Sequence, residues 1–205
     1  MANTACNFTH PTLYFPSRDI TWSLKVCLCA ADMNASGGFT TFVTKAEVIT
    51  GGGIYGSLGY MPYNTTAGVS GNLVAAGFDN LGYFGLKSVD NTSGRLTPVA
   101  NSYSIRTGED YQYKSTTVLP FTLLKNTEVY TTLKFNLTNV GQTLKTYYLN
   151  AEKRYTLISS VSTGFVADLD TLARVGVSYS SPLRLNENKA LLRVKDLHVQ
   201  GLQAF

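Results

Sequence analysis

The chain has 205 residues, of which 15% are charged and 12% aromatic, and its formal net charge is +4. This length suits a domain with a sizeable core, and the many Tyr, Gly, Thr and Ser residues favour strands and turns over helices. The 17 Lys and Arg residues are spread along the chain without a basic run, whereas nucleic-acid-binding surfaces concentrate their basic residues. The composition therefore predicts a β-rich protein and no nucleic-acid partner.

The N-terminal residues lack the charged segment and apolar run of a secretory signal, and no apolar run approaches the roughly 18 residues that span a membrane. We therefore expect synthesis in the cytoplasm without a secretory signal, and no membrane span. Pro11 and Pro16 predict an extended arm or edge segment over residues 1–19. Residues 20–205 are then expected to form a single domain.

Alternation of apolar and polar residues predicts most of the chain as short strands. The clearest run covers residues 20–29 and places Trp22 in the core, and residues 129–138 and 143–149 are expected to form a hairpin. Further strands are predicted at residues 39–44, 73–79, 102–107, 111–113, 118–124, 154–158, 173–179 and 190–199. In the last of these the apolar phase changes at Lys195–Asp196, which predicts a β-bulge.

Three segments have weaker patterns. Gly51–Gly53 predicts a loop that leads into a strand-like run over residues 55–63. Residues 84–87 are predicted to return as the second arm of a hairpin, and residues 167–170 as a short helix or turn. About a dozen short strands with almost no helix predict an all-β sandwich or barrel.

The strand over residues 73–79 has two unlike faces. Val74 and Phe78 are predicted to face the core, whereas the other face carries Ala75 and Gly77 and ends in the carboxylate of Asp79. Small residues on that face allow a neighbouring strand, a loop or a ligand to approach the backbone closely.

The three cysteines give no disulfide framework. Cys27 and Cys29 lie two positions apart on one side of a strand, so we expect that they cannot bridge each other and remain free thiols in a reducing compartment. Whether Cys6 pairs with either stays open. A metal site at this pair would need more ligands, and His10 and His198 are the only histidines.

The order of several segments resembles that of the concanavalin A-like jelly-roll superfamily, which contains the legume and L-type lectins and the glucanases. The similar segments are residues 36–42, 53–60, 74–79 and 174–179 followed by the final strand. The resemblance implies an antiparallel β-sandwich of the jelly-roll type in a single domain. A narrower pattern of glycines and aromatic residues, over 51–60, 71–84 and 101–106, is similar to lectin-fold domains in structural proteins of marine phages and large DNA viruses.

Departures from the lectin pattern argue against a metal. Legume-type lectins hold calcium and a transition metal with a Glu two residues before the Asp of this strand and an Asn four residues after it. Here these positions are Gly77 and Tyr83, and no Asp and His pair follows before residue 100. Asp79, even with Asn80, offers too few ligands for a calcium shell of about six to eight oxygens. We therefore predict no metal and no cofactor.

A glucanase activity is also not expected. Retaining glycosidases need two carboxyl groups about 5–5.5 Å apart, but Ala75 and Gly77 occupy the positions where partners of Asp79 would lie. His10 and His198 lie near opposite ends of the chain and no Gly-x-Ser-x-Gly motif is present, so a catalytic triad has no support. The chain is predicted not to be an enzyme.

The exposed loops of the predicted sandwich supply the candidate contacts to a glycan or partner. These are Ser36, Gly37, Gly38, Asp79, Asn80, Tyr83, Ser181 and Arg184. Asp79 has an alternative role as a turn former that bonds the backbone of Leu81 or Gly82. Tyr83, Tyr60 and Tyr63 could stack on sugar rings, although packing is the default for each.

The viral resemblance predicts a non-enzymatic structural protein of a virion, as a capsid-decorating, tail or fibre component. Its partners would be neighbouring virion proteins and a host-surface glycan, and sandwich edges predict a homo-oligomer. Two alternatives remain: a free soluble lectin and, more remotely, a glycoside hydrolase.

Overall fold

The computed structural model describes residues 5–31, 35–45, 52–53, 57–87, 92–138, 142–164, 171–180 and 190–204. Within these residues the chain forms twelve strands and a short 3₁₀ helix, η1 (Tyr83–Gly85). The strands are β1 (Ala5–Thr9), β2 (Ile20–Cys29), β3 (Gly38–Thr44), β4 (Asn72–Asp79), β5 (Ser102–Thr107), β6 (Gln112–Val118), β7 (Leu124–Lys125), β8 (Thr131–Thr138), β9 (Thr143–Leu149), β10 (Tyr155–Ser162), β11 (Arg174–Ser180) and β12 (Leu191–Gln200). No helix in the described part of the chain has the length and hydropathy of a membrane span.

The strands form two sheets that pack face to face. The front sheet has the order β1-β11-β3-β4-β5-β6, and the back sheet has the order β10-β9-β8-β2-β12, with β7 paired to β2. All neighbours are antiparallel except β2 and β7. The predicted all-β antiparallel sandwich is therefore confirmed. Within the proposed N-terminal arm, β1 forms one edge of the front sheet.

Aromatic residues from both sheets fill the interior. Trp22 and Phe135 of the back sheet stack with ring centroids 5.0 Å apart, and Phe39 and Phe78 of the front sheet stack at 4.9 Å. Phe78 also meets Phe135 edge-on across the two sheets. The Trp22 indole N–H donates to Thr41 Oγ1 over 2.9 Å, so its polar atom is satisfied while the ring is buried. The predicted core position of Trp22 is confirmed.

The outer face of the front sheet carries a second, smaller apolar cluster. We call it the outer cluster, and its residues are Phe42, Leu58, Tyr60, Met61, Val69, Ala75 and Phe84, with Tyr111 packed against them. Phe42 and Ala75 belong to β3 and β4, and the others come from the chain that covers this face. Both faces of β4 are consequently buried along its whole length.

Several predicted elements are correct. The strand over 20–29 and the hairpin of β8 and β9 appear as expected. The strand predicted at 173–179 is β11, whose Val175 and Val177 face the core. The bulge in β12 is confirmed, since its pairing with β2 shifts between Lys195 and His198 and Asp196 has a φ of 53°.

Other predictions are wrong. Residues 84–87 form no returning strand, because Tyr83–Gly85 is a 3₁₀ turn that places Phe84 on the outer face of the front sheet. The described residues 57–63 form turns rather than a strand. Two strands predicted around 111–124 are instead one edge strand, β6, whose polar sequence lacks apolar alternation, followed by the two-residue β7. The helix or turn at 167–170 lies outside the described residues.

The expectation that Cys27 and Cys29 cannot bridge is also wrong. Their sulfur atoms are joined in a disulfide, and their Cα atoms lie 5.6 Å apart. Side chains two positions apart share a face of the strand, and this Cα separation is within the range that disulfides adopt. Cys6 is an exposed free cysteine, so it pairs with neither.

Candidate functional site

Asp79 ends β4 and holds the turn that follows it. Its Oδ1 accepts the N–H of Leu81 at 2.8 Å and its Oδ2 accepts the N–H of Phe84 at 3.0 Å. Burial raises the pKa of the carboxyl above its ordinary value, and the backbone N–H groups that face it, including those of Gly82 and Tyr83, oppose this rise. The carboxylate thus has the turn-forming arrangement, and the side chain is almost inaccessible to solvent.

The small-residue face of β4 is covered by this same turn. A Cβ atom added at Gly77 would overlap the ring of Phe84. Gly82 adopts a φ of 82°, and an added Cβ there would overlap the carbonyl of Val99. Small residues on β4 could admit a neighbouring strand, a loop or a ligand. In the structure a loop fills this position.

Arg106 holds the turn from the other side. It lies on β5 opposite Ala75 of β4, and none of its side chain is exposed. Its Nε donates to the carbonyl of Phe84 at 3.0 Å, and its Nη2 donates to that of Leu86 at 2.7 Å. Its Nη1 donates to the carbonyls of Ser93 and Tyr111, at 2.8 and 2.9 Å.

The charge of Arg106 is retained despite its burial. Desolvation lowers the pKa of the guanidinium to about 10, opposed by nearby Tyr60 and Tyr113, so the group stays protonated at neutral pH. Its Cζ lies 5.6 Å from the centre of the Phe84 ring and 5.9 Å from that of Tyr113. Sequence reasoning missed this residue, although the alternation Tyr103-Ser104-Ile105-Arg106 assigns Arg106 to the outer face.

Asn80 joins the segment before β3 to the turn after β4. Its Oδ1 accepts the N–H of Gly37 at 2.9 Å, and its Nδ2 donates to the carbonyl of Ala35 at 2.6 Å. A Cβ at Gly38 would overlap the carbonyl oxygen of Phe78. The structure therefore brings Ser36, Gly37, Gly38, Asp79 and Asn80 together, and it buries Ser36, Gly38 and Asp79.

The outward surface of the turn is apolar and aromatic. Tyr83 is 48% exposed and Leu81 is 37% exposed. The loop over 92–100 lies alongside, because the N–H of Arg95 donates to the carbonyl of Gly85 and the N–H of Lys87 donates to that of Arg95. This loop presents Leu96, which is 80% exposed. We call Leu81, Tyr83 and Leu96 the turn surface.

Other predicted contacts have different positions. Tyr60 is fully buried in the outer cluster, and Tyr63 is half-buried. Ser181 and Arg184 lie outside the described residues. Of Tyr60, Tyr63 and Tyr83, the three tyrosines proposed from the sequence to stack on sugar rings, Tyr83 is therefore the exposed one.

The described residues do not fit the calcium site of legume-type lectins. Both oxygens of Asp79 accept backbone N–H groups, and the Phe84 ring fills the space over Gly77 where those lectins carry a Glu. Within the described ranges no three His, Cys, Asp or Glu side chains cluster in a way that could hold a metal ion. A divalent ion at Asp79 would have to displace the turn that the carboxylate organises.

The two sheets, with loops gathered over the outer face of the front one, define a concanavalin A-like lectin fold. Among solved structures, the chain is similar to lectin II from Ulex europaeus, with a TM-score of 0.67 at 14% identity over 97% of this chain and 82% of that one. It is also similar to peanut lectin with a nine-residue peptide, with a TM-score of 0.65 at 14% identity over 97% and 83% of the two chains.

A third similar structure is the exoplasmic/lumenal domain of VIP36 in its Ca²⁺/Man-bound form, with a TM-score of 0.59 at 10% identity over 98% of this chain and 75% of that one. No protein-family profile matches the chain, and no curated protein sequence matches it. The predicted fold is confirmed.

Proposed function

We propose that this protein is a non-enzymatic binding module that recognises a glycan with its turn surface. The lectin fold of its structural neighbours supports a carbohydrate ligand, and the similar VIP36 domain is in a Man-bound form. The described outer cluster contains no Asp or Glu, so it supplies no second carboxyl group to act with Asp79 in glycoside hydrolysis.

The observation that carries the proposal is the exposure of Tyr83 on a turn that is fixed from below. A tyrosine ring presents an apolar face that suits the C–H face of a sugar ring, and its hydroxyl adds a polar contact. The backbone of the turn donates hydrogen bonds to Asp79 and accepts them from Arg106, and these bonds fix the turn before ligand arrives. Preorganisation of this kind lowers the entropic cost of binding.

A glycan array with the full chain tests the proposal, and the back sheet supplies a matched control. Tyr83→Ala should reduce binding of any captured glycan at least about tenfold, which corresponds to roughly 1.4 kcal/mol. Tyr155 on β10 is 47% exposed, nearly the same as Tyr83, so Tyr155→Ala should leave binding unchanged. Equal losses in the two variants, or no glycan captured by the wild type, would contradict the proposal.

A finer proposal concerns the setting. We infer that the protein works in a virion, as a capsid-decorating, tail or fibre component that also contacts neighbouring virion proteins and forms a homo-oligomer after synthesis in the host cytoplasm. The support is the pattern of glycines and aromatic residues over 51–60, 71–84 and 101–106. Proteomics and electron microscopy of purified particles should find the protein in them. Glycan binding by a protein absent from particles would favour a free lectin.

A further inference from the structure

The turn after β4 is gripped at one residue from both sides. The N–H of Phe84 donates to the carboxylate of Asp79, and the carbonyl of the same residue accepts the Nε–H of Arg106. The negative carboxylate therefore binds the N–H of Phe84 in η1, and the positive guanidinium binds its carbonyl oxygen. Neither Asp79 nor Arg106 takes part in an ion pair within the described residues, so each of these charges is compensated by backbone groups.

Arg106 also ties together three separate parts of the chain. Its carbonyl partners are Phe84 and Leu86 in the turn, Ser93 in the adjoining loop, and Tyr111 just before β6. A guanidinium has five N–H donors in a rigid plane. Arg106 donates four hydrogen bonds to these carbonyls. Four carbonyl oxygens therefore surround one buried positive charge.

This arrangement has the chemistry of a cation site. Backbone carbonyls and carboxylates that gather around a positive centre are what orders a calcium-binding loop. Here the positive centre is part of the chain, and the carboxylate of Asp79 is used for the N–H groups of the same turn. A lysine at position 106 would supply the charge, but its three donors could not reach four carbonyls in one plane.

We propose that the guanidinium of Arg106 is an internal cation that positions the turn surface and takes the place of a divalent metal ion. This role of Arg106 in holding the turn does not depend on whether the turn binds a glycan. Arg106 is a positioning residue in this account, because it acts through the backbone of Phe84 and Leu86 rather than by touching a ligand.

Amide hydrogen exchange of the full chain, followed residue by residue by NMR, tests this. In the wild type, protection of the amides of Phe84, Leu86 and Arg95 should be the same in EDTA and in CaCl₂. In Arg106→Met these amides should exchange at least about tenfold faster, while those of β3 and β8 keep their protection. The control is Arg193→Met, which removes a half-exposed arginine on β12 and should change none of the turn amides.

Arg106→Lys separates positioning from charge alone. It should recover part of the protection lost in Arg106→Met, because one or two carbonyls regain a charged donor. Fluorescence of Trp22, the only tryptophan, reports whether the interior remains folded in each variant. If Arg106→Met does not fold, the lysine variant and the EDTA comparison of the wild type decide the question.

Two results would overturn the proposal. One is faster exchange of the turn amides when EDTA is added to the wild type, which would show that a divalent ion holds them. The other is wild-type protection of the turn amides in a folded Arg106→Met or Arg106→Lys variant with unchanged Trp22 fluorescence.

Discussion

The interior between the sheets and the outer cluster are both buried, but they are held differently. The interior contains Trp22, Phe39, Phe78 and Phe135, whose rings pack in pairs between strands joined by hydrogen-bond ladders. The outer cluster lies under loops and is fixed by Asp79 and Arg106, whose charged side chains bind loop backbone. Apolar burial dominates the first, whereas a few charged hydrogen bonds determine the geometry of the second.

The difference implies two levels of stability in one domain. Loss of apolar volume in the interior removes contacts from both sheets at once. Loss of a charged hydrogen bond in the outer cluster frees a loop but leaves the ladders of both sheets intact, so it should appear as local opening. A binding surface on the outer layer can therefore be altered without loss of the sandwich, which is how lectin-like folds carry different loops on one framework.

The largest effect is expected from Phe78→Ala, which tests the interior. The residue is fully buried against Phe39, Tyr103 and Phe135, and its truncation leaves a cavity between the sheets. The free energy of unfolding should fall by about 3–5 kcal/mol, measured by urea unfolding with Trp22 fluorescence. Leu96→Ala, at an 80% exposed position, should change it by less than about 0.5 kcal/mol. Similar losses of unfolding free energy in Phe78→Ala and Leu96→Ala would contradict the claim that apolar burial between the sheets dominates stability.

Gly77→Ala tests the packing of the outer cluster on β4. The added methyl group overlaps the ring of Phe84, so the turn must move away. We expect the free energy of unfolding to fall by about 1–3 kcal/mol. Residues 80–87 should be proteolysed faster, and glycan binding should be weaker. In Gly201→Ala the nearest atom to the new Cβ is Tyr14 Cδ1 at 3.2 Å, and a small effect is expected. A wild-type proteolysis rate in Gly77→Ala would argue against the close approach.

Asp79→Asn should cost about 1–2 kcal/mol near neutral pH, because its amide nitrogen replaces one of two acceptor oxygens and leaves a backbone N–H unpaired. The raised pKa of Asp79 gives this cost a pH dependence. Between pH 3.8, the ordinary pKa of an Asp carboxyl, and the raised pKa of Asp79, the folded state binds more protons than the unfolded state. The free energy of unfolding of the wild type therefore falls as pH rises through that window.

The asparagine variant lacks this titration. The difference in unfolding free energy between the wild type and Asp79→Asn should therefore be largest at the acid end of the window and shrink as pH rises. Urea unfolding at a series of pH values measures it. A difference that grows with pH would mean that the carboxylate has a lowered pKa, and hence that its hydrogen bonds outweigh its burial.

The smallest effect is expected at the exposed charges of the back sheet. Glu128 forms ion pairs with Arg193 and Lys195, with N–O distances of 3.1 and 3.6 Å, and its side chain is 44% exposed. Glu128→Gln should shift the urea midpoint less than Phe78→Ala, Gly77→Ala or Asp79→Asn, and the shift should vanish at high salt because exposed ion pairs are screened. A shift as large as that of Asp79→Asn would mean that burial does not distinguish the two kinds of charge.

Most of the framework could be predicted from the sequence because strand alternation is local. The run over 20–29 alternates through ten residues, and the phase change at Lys195–Asp196 predicted the bulge in β12. β6 was predicted poorly, because an edge strand with half-exposed residues on both faces carries little apolar periodicity. The order of the segments also predicted the concanavalin A-like fold, and the similarity to solved lectin structures confirms this prediction.

The candidate site could be predicted only in part. Asp79, with Asn80 and Gly82 after it, has the residue types of a turn, and the bond to Leu81 follows from that local pattern. The position of the Phe84 ring over Gly77 depends on how the chain folds back over β4 after the turn, which alternation of apolar and polar residues does not report. Arg106 was missed because its four partners come from three segments that meet only in the folded chain.

The central claim is that the outer layer is held by its own buried side chains, separately from the sandwich interior. Native-state hydrogen exchange of the wild type in low concentrations of urea tests this most directly. The amides of Phe84 and Leu86 should exchange through local opening with little urea dependence, at a lower opening free energy than those of Val74 and Phe78 on β4, and EDTA should not alter the difference. A single opening free energy and urea dependence shared by all four amides would contradict the account.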